Sequence, residues 1–418
     1  MDKLIIKGKA DLSGEISIKG SKNSVLPIMI SALLSEDTLK LKNIPKLADI
    51  DNMSKLLRNY GATIKSRRDY IEINCKKIIN KDADYDIVRK MRASILILGP
   101  LLSRFGKAKI SLPGGCAIGT RPIDIHLNGL KKLGANFKVE NGYVVGQVKN
   151  HLIGNHINLP FPSVGATENI IMAAVRAKGK TIIENAAMEP EILDLSDSLN
   201  KMGAKINITN KGTIKITGVK KLYKANHKIM SDRIVAGTFV IAAVMLNKKF
   251  EVKEVETKHN TALISALKNM GANIKLKKNS IKILPANILR GIKIQTSPYP
   301  GFPTDLQAQI MALMSLASSN SQIKENIFEN RFMHVPELNR LGAKIKVKKD
   351  IAFVSGSRNF KGAQVMASDL RASVSLVLAA LCAEGESVIN RVYHLDRGYE
   401  KIENTLGKLG PSIKREKY

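Results

Sequence analysis

The 418-residue chain has no tryptophan, and aromatic residues make up only 5% of it. A surface that stacks bases on rings, as single-strand nucleic-acid modules do, therefore has little to be built from. Acidic residues are also short: 36 Asp and Glu stand against 67 Lys and Arg, a formal net charge of +31. The surplus is mostly lysine scattered along candidate strands and helix ends (Lys205, Lys215, Lys275, Lys277, Lys344, Lys346). That pattern reads as a solvated basic surface that would help collect anionic small molecules, and no nucleic-acid partner is expected. Cysteines number three, Cys75, Cys116 and Cys382, without CxxC spacing. The odd count argues against a disulfide framework and a zinc site. With no dinucleotide fingerprint and no metal-ligand pattern, neither a metal nor a cofactor is expected. No run approaches the roughly 18 apolar residues of a membrane helix. Residues 1–20 alternate apolar and polar side chains instead of forming a signal peptide, so the expectation is a cytoplasmic protein with no membrane partner.

What is present is repetition. A leucine-containing helical run ending in glycine recurs six times, with glycines at Gly61, Gly134, Gly203, Gly271, Gly342 and Gly410, spaced 68 to 73 residues apart. Each glycine suits the left-handed position that follows a helix, and an alternating strand comes next, such as Ala204-Lys205-Ile206-Asn207-Ile208. Upstream in every repeat lies a second, more apolar helix: 23–34, 91–102, 164–175, 233–245, 305–316 and 370–381. Apolar residues around most of a helix mean burial on several sides. A period of about 70 residues is too long for the common solenoids, so the units are expected to close into two α/β domains of three units each. The expected boundaries are 21–229 for the first domain and 1–20 plus 230–418 for the second, with the active site in the cleft between them.

The starts of the apolar helices carry a second signal. Ser163, Asp232, Asp305 and Asp369 are residue types that cap helices. Lys22, Arg92, Arg233 and Arg371, by contrast, set cations against the positive end of a helix dipole. A bound anion would balance them, because helix amino ends are themselves anion sites. The third signal is the loop Pro113-Gly114-Gly115-Cys116-Ala117-Ile118-Gly119-Thr120-Arg121-Pro122, where a thiol lies five residues from a guanidinium. A cation near a loop thiol lowers its pKa toward reactivity, whereas Cys75 and Cys382, in a strand-like and a helical apolar run, read as small hydrophobes. Spacing alone leaves Cys116 either catalytic or inert.

The segments Gly20-Ser21-Lys22-Asn23, Lys90-Met91-Arg92-Ala93-Ser94, the 113–122 loop, Ser163-Val164-Gly165-Ala166-Thr167, Phe302-Pro303-Thr304-Asp305, 328–334, Ser368-Asp369-Leu370-Arg371-Ala372-Ser373 and Asp396-Arg397-Gly398-Tyr399-Glu400 occur in this order over nearly the whole chain. Together they resemble the enolpyruvyl transferase family, in its branch that uses UDP-N-acetylglucosamine. The resemblance implies two inside-out α/β barrel domains. It implies transfer of the enolpyruvyl group of phosphoenolpyruvate to the sugar 3-hydroxyl with release of phosphate, the first committed step of peptidoglycan precursor synthesis. It also implies roles. Lys22, Arg121 and Arg397 would hold phosphoenolpyruvate, with Arg92 and Asn23 supporting the anion and the tetrahedral intermediate. Cys116 would act as general acid, covalent nucleophile or release aid, and Asp305 would handle the proton of the sugar hydroxyl. Asp369 and Arg371 would support formation of the intermediate. The nucleotide sugar would lie along Arg121, Pro122, Ile123, Asp124, Ser163, Val164, Gly165, Asp305 and Ile327.

Two positions depart from the family pattern. Phe161 stands where a lysine near the diphosphate is usual, which is expected to weaken nucleotide-sugar binding. Val235 replaces a common acidic residue and is expected to be tolerated. The nearest alternative is a transferase like 5-enolpyruvylshikimate-3-phosphate synthase, within the same family. A basic RNA-binding or RNA-processing protein is the alternative from another class, and it would need stacking aromatics or a basic stripe that the chain lacks.

Overall fold

Each of the six repeat glycines adopts a left-handed conformation, with φ from 96° to 115°. At Gly61, Gly203, Gly271 and Gly342 the glycine N–H donates to the carbonyl three residues back and the next alanine's N–H to the carbonyl five back. In the third repeat these are Gly203 to Asn200 at 2.9 Å and Ala204 to Leu199 at 3.0 Å. The two bonds satisfy carbonyls that the helix end would otherwise leave bare, and they require the positive φ that glycine adopts without strain. The alanines that follow are buried, which accounts for the recurrent Gly-Ala pair.

The computed structural model describes residues 2–79, 85–88, 91–112, 123–209, 212–356 and 359–417. They divide into two compact units, one of 2–19 with 231–417 and the other of 20–230. Five of the six repeats are βαβαββ arrangements; among the described residues the second has a three-stranded sheet of Lys107–Ser111, Ala135–Glu140 and Tyr143–Val148. In the third, strand His156–Asn158 leads to helix Val164–Ala174, strand Lys180–Glu184, helix Pro190–Lys201 and the hairpin Lys205–Thr209 with Thr213–Thr217. The first two strands pair in parallel across the apolar helix, Ile157 opposite Ile183, and the hairpin adds antiparallel, Ile183 opposite Ile214. A helical crossover is what lets consecutive strands run parallel. Isoleucines such as Ile183, Ile214 and Ile216 face inward, while Lys205 and Lys215 face solvent. Lys275, Lys277, Lys344 and Lys346 are exposed on the corresponding strands of the fourth and fifth repeats, so these lysines of the basic surplus occupy solvated sheet faces.

Chain ends complete both units. Strand Ala225–Lys228 pairs in parallel with Thr38–Lys42 and so supplies the first strand of the first repeat from its far end. In the other unit, Asp2–Lys7 lies between Glu386–Asn390 and Ile413–Lys417, and Glu15–Ser17 pairs with Phe250–Lys253. The amino-terminal residues thus finish the sixth repeat and begin the fourth.

The apolar helices form the centres of two separate cores. In Arg233–Met245 every residue but Val235 is buried, and in Leu370–Cys382 every residue but Cys382. The structure trims the expected helices at three places. Residues 92–97 and 304–306 are single 3-10 segments ahead of helices Leu98–Phe105 and Gln307–Met314, and 32–34 is a 3-10 turn after Lys22–Ser31. Pro100 has no N–H to give the 3-10 turn before it, which explains the first of these breaks. At the other end of the Lys22–Ser31 segment, Arg104 donates to the carbonyls of Leu33, Ser35 and Cys75, and Arg176 to Leu34. These cations sit at a helix carboxyl end, where the dipole favours them.

Candidate active site

In the unit holding 231–417, the amino ends of three apolar helices lie side by side. Asp305, in the 3-10 turn Thr304–Leu306, is gripped by two arginines, with Arg331 Nη2 2.9 Å from Oδ1 and Arg371 Nε 3.2 Å from Oδ2. Both guanidinium side chains are only 4% exposed, whereas the Asp305 side chain is 27% exposed. One carboxylate thus has both oxygens fixed by charge-assisted bonds and still meets solvent. Arg371 also donates from Nη1 to the Tyr399 hydroxyl at 3.3 Å, which lies 2.9 Å from Thr238 Oγ1. Thr238 in turn donates to the Ile234 carbonyl at 2.9 Å and accepts from Gln309 at 3.3 Å. The direction of that chain assigns the Tyr399 proton to Thr238.

Burial opposes the Arg371 charge, but Asp305, Tyr399 and Asp232 favour it and its pKa is raised on balance. Tyr399 is pushed up by burial, with Arg371 pulling the other way. His334 is fully buried, which drives its imidazole from 6.5 down to about 4; Asp369 opposes this and Arg331 adds to it. His394 is also lowered, by burial first and then by Arg397.

The aspartates separate into two kinds. Asp232 and Asp369 are helix caps: Asp232 Oδ1 accepts from the amides of Ile234 and Val235, and Asp369 Oδ1 from those of Arg371 and Ala372. Asp305 instead binds two arginine side chains and keeps an exposed edge. Arg397 is half-buried in the 3-10 segment Val392–Arg397, and Ile327 is half-buried with its N–H on Glu325.

In the unit holding 20–230, Lys22 and Asn23 open helix Lys22–Ser31, and Lys22 Nζ lies 3.4 Å from Asp49 Oδ2. Pro27 cannot donate to the Asn23 carbonyl one turn back, so the first turn of this helix has an acceptor to spare. Arg92 begins the 3-10 segment Arg92–Ile97 and is half-buried. Ser163 caps helix Val164–Ala174 through the Ala166 amide, Ile123 precedes helix Asp124–Lys132, and Asp124 is exposed. A Cβ on Gly165 would lie 3.1 Å from the His126 ring, tighter than ordinary contact, so a side chain there would press on the ring. Asn169 ties these helices: its amide donates to His126 Nδ1 at 3.2 Å and to the Ile95 carbonyl at 3.1 Å, and its oxygen accepts from Gly99 at 2.7 Å. Glu168 is buried behind the Ser163 cap; burial, then Glu191 and Glu189, raise its pKa well above the usual carboxylate range.

Cys116, Arg121 and Pro122 lie outside the described residues. Of the four helix-start cations, Lys22 and Arg371 each have a carboxylate within their own unit, so their charge is met without an outside anion. Those partners come from other segments of the fold, and spacing could not reveal them. Sequence reasoning does not single out Arg331, Tyr399, Thr238, Gln309, Asp49 or His126, which the structure places beside the candidate residues. Only Arg331 and Tyr399 carry a signal, within the 328–334 and 396–400 motifs.

The architecture is the α/β two-domain fold of enolpyruvyl transferases. The enolpyruvyl transferase NikO from Streptomyces tendae superposes with a TM-score of 0.91 over 99% of this chain and 98% of its own, at 22% identity. An EPSP synthase from Acinetobacter baumannii gives 0.78 over the whole of both chains, at 17% identity. Residues 6–406 match the family model described as EPSP synthase (3-phosphoshikimate 1-carboxyvinyltransferase), and the chain belongs to that family. Within it, the chain is 52% identical, over 99% of its length and 100% of the relative's, to a UDP-N-acetylglucosamine 1-carboxyvinyltransferase of Pelagibacter ubique (strain HTCC1062). The protein of the same description from Geotalea uraniireducens (strain Rf4) is 50% identical, over 99% of both. No helix among the described residues is long and apolar enough to cross a membrane.

Proposed function

We propose that this chain transfers the enolpyruvyl group of phosphoenolpyruvate to the 3-hydroxyl of UDP-N-acetylglucosamine and releases phosphate, in the cytoplasm, at the start of peptidoglycan precursor synthesis. The observation that carries the reading is full-length identity near one half to relatives of that one description. The family model alone also covers the shikimate-phosphate branch, so it supports the chemistry rather than the acceptor.

The chemistry is addition followed by elimination. The sugar hydroxyl attacks C2 of phosphoenolpyruvate while C3 gains a proton; a proton then leaves C3 and phosphate departs. Lys22, Arg121 and Arg397 neutralise the phosphoenolpyruvate anion, with Arg92 and Asn23 beside it, by point charge and bidentate bonding. Asp305 accepts the proton of the sugar hydroxyl; its two arginines aim the carboxylate, and its exposed edge lets the hydroxyl reach it. Cys116 serves C3 or product release, and Asp369 acts by fixing the helix start that carries Arg371. Ile123, Asp124, Pro122, Ser163, Val164, Gly165 and Ile327 line the nucleotide sugar. Residues 21–229 and 1–20 with 230–418 act as the two folding domains.

The decisive experiment measures phosphate release from phosphoenolpyruvate with UDP-N-acetylglucosamine and, separately, with shikimate 3-phosphate. Release with the nucleotide sugar alone is expected; release only with shikimate 3-phosphate would transfer the chain to the other branch. Phe161 is exposed and two residues before Ser163. Phe161→Lys is therefore expected to lower the Michaelis constant for the nucleotide sugar by about one and a half to fivefold, the value of one solvent-exposed phosphate contact. An unchanged constant would remove Phe161 from the diphosphate site.

A further inference from the structure

Glu325 follows strand Ser321–Lys324 and is 5% exposed. Its Oε1 accepts from the Thr296 hydroxyl at 2.8 Å and from the amides of Ile327 at 2.9 Å and Phe328 at 3.3 Å; its Oε2 accepts from the Thr304 hydroxyl at 3.0 Å. All four partners donate, which suits a group that only accepts. Thr296 is locked from its other side, since Oγ1 accepts from the Asn326 amide at 2.9 Å and its carbonyl from the Asn326 side chain at 3.1 Å. One buried carboxylate therefore joins three stretches of chain: the residue after strand Lys293–Gln295, the turn that presents Asp305, and the segment that presents Ile327 and continues to Arg331.

We infer that Glu325 is a positioning residue for the acceptor substrate: it sets Ile327 and Asp305 relative to each other, and so governs nucleotide-sugar binding while leaving phosphoenolpyruvate binding alone. This rests on the functional reading of Asp305 and Ile327 given above. The selectivity follows from what Glu325 holds. Its bonds reach the neighbour of Asp305 and the amide of Ile327, and none reaches Lys22 or Arg397. Asp305 keeps its two arginines when Glu325 is changed, so the hydroxyl-facing carboxylate shifts as a unit instead of being lost.

The substitutions should grade. Glu325→Ala removes four acceptor contacts and leaves two amides and a buried hydroxyl unmatched, so the Michaelis constant for UDP-N-acetylglucosamine should rise about a hundredfold. Glu325→Gln can keep its amide oxygen on the three Oε1 donors and turn its NH2 toward Thr304, so the rise should be about tenfold or less. Thr304→Val should raise it severalfold, and Thr304→Ser, which retains the hydroxyl, should behave as the parent. The constant for phosphoenolpyruvate should stay within about twofold throughout. Hydrogen exchange at the Ile327 and Phe328 amides should accelerate about tenfold or more in Glu325→Ala and less in Glu325→Gln. Should the alanine variant fail to fold, the glutamine and Thr304 variants carry the same comparison.

Equal rises in both Michaelis constants, or unchanged exchange at 327 and 328, overturn the inference. A parent enzyme that releases no phosphate with UDP-N-acetylglucosamine overturns the functional reading instead, and the exchange measurement still decides whether Glu325 holds the segment.

Discussion

Asp305→Ala would leave Arg331 and Arg371 facing each other without the carboxylate that joins them. Each lost contact is a charge-assisted hydrogen bond, at 2.9 and 3.2 Å, of a kind that contributes about 1.5 to 3 kcal/mol net. The two sides of the pair are unequal. The guanidiniums are nearly sealed and cannot regain hydration, which moves the cost toward that of breaking a buried ion pair. Asp305 is 27% exposed, so water already screens part of the attraction. Weighing the two gives a destabilisation of about 3 kcal/mol, or a fall in melting temperature of about 6 to 12 °C for a unit of roughly 200 residues. Calorimetry at pH 7.5 reads this directly. Asp350→Ala is the control, because its contact to Lys324 is long, at 3.6 Å, and both side chains are more than 40% exposed. That control should shift by less than about 0.5 kcal/mol. If the two variants melted together, the claim that Asp305 neutralises a sealed arginine pair would be wrong. On the proposed role of Asp305 as proton acceptor, turnover in Asp305→Ala should fall about a hundredfold or more in the same preparation.

Three further expectations use other parts of the molecule. Burial holds the His334 pKa at about 4 against 6.5, so the folded chain favours the neutral ring. Its contribution is complete above pH 6.5 and is lost as pH falls toward 4, up to about 3 kcal/mol. Urea midpoints should drop through that window, and His334→Gln should flatten the drop; parallel curves would count against the assignment. Gly134 has φ 99° and open space where a Cβ would sit, so Gly134→Ala isolates backbone strain and should cost about 1 kcal/mol, with Gly134→Asn costing less. The thiols of Cys75 and Cys382 are pushed up to about 12 by burial, so an epoxide mimic of phosphoenolpyruvate should give a single adduct, on Cys116. Intact-mass and peptide analysis showing the adduct elsewhere, or none, would refute that.

The sequence by itself determined the repeat. Glycine after a helix, the alanine behind it and the alternation of isoleucine with lysine are each satisfied within about ten residues, so local spacing suffices to read them. Hence the six glycine-capped helices and the one-faced strands of the third repeat occur where pattern placed them, and the departures are short 3-10 turns. The tertiary structure alone decided the partnerships. Asp305 meets Arg331 and Arg371 across 26 and 66 residues, and Glu325 reaches Thr296 across 29. Asp2–Lys7 finishes a sheet whose other strands begin beyond residue 360. It also told apart aspartates alike in sequence, making Asp232 and Asp369 caps and joining Asp305 to two arginines. A charge's partner depends on which repeats pack together, and that is settled by burial of the apolar helices, a force without direction that spacing along the chain does not encode.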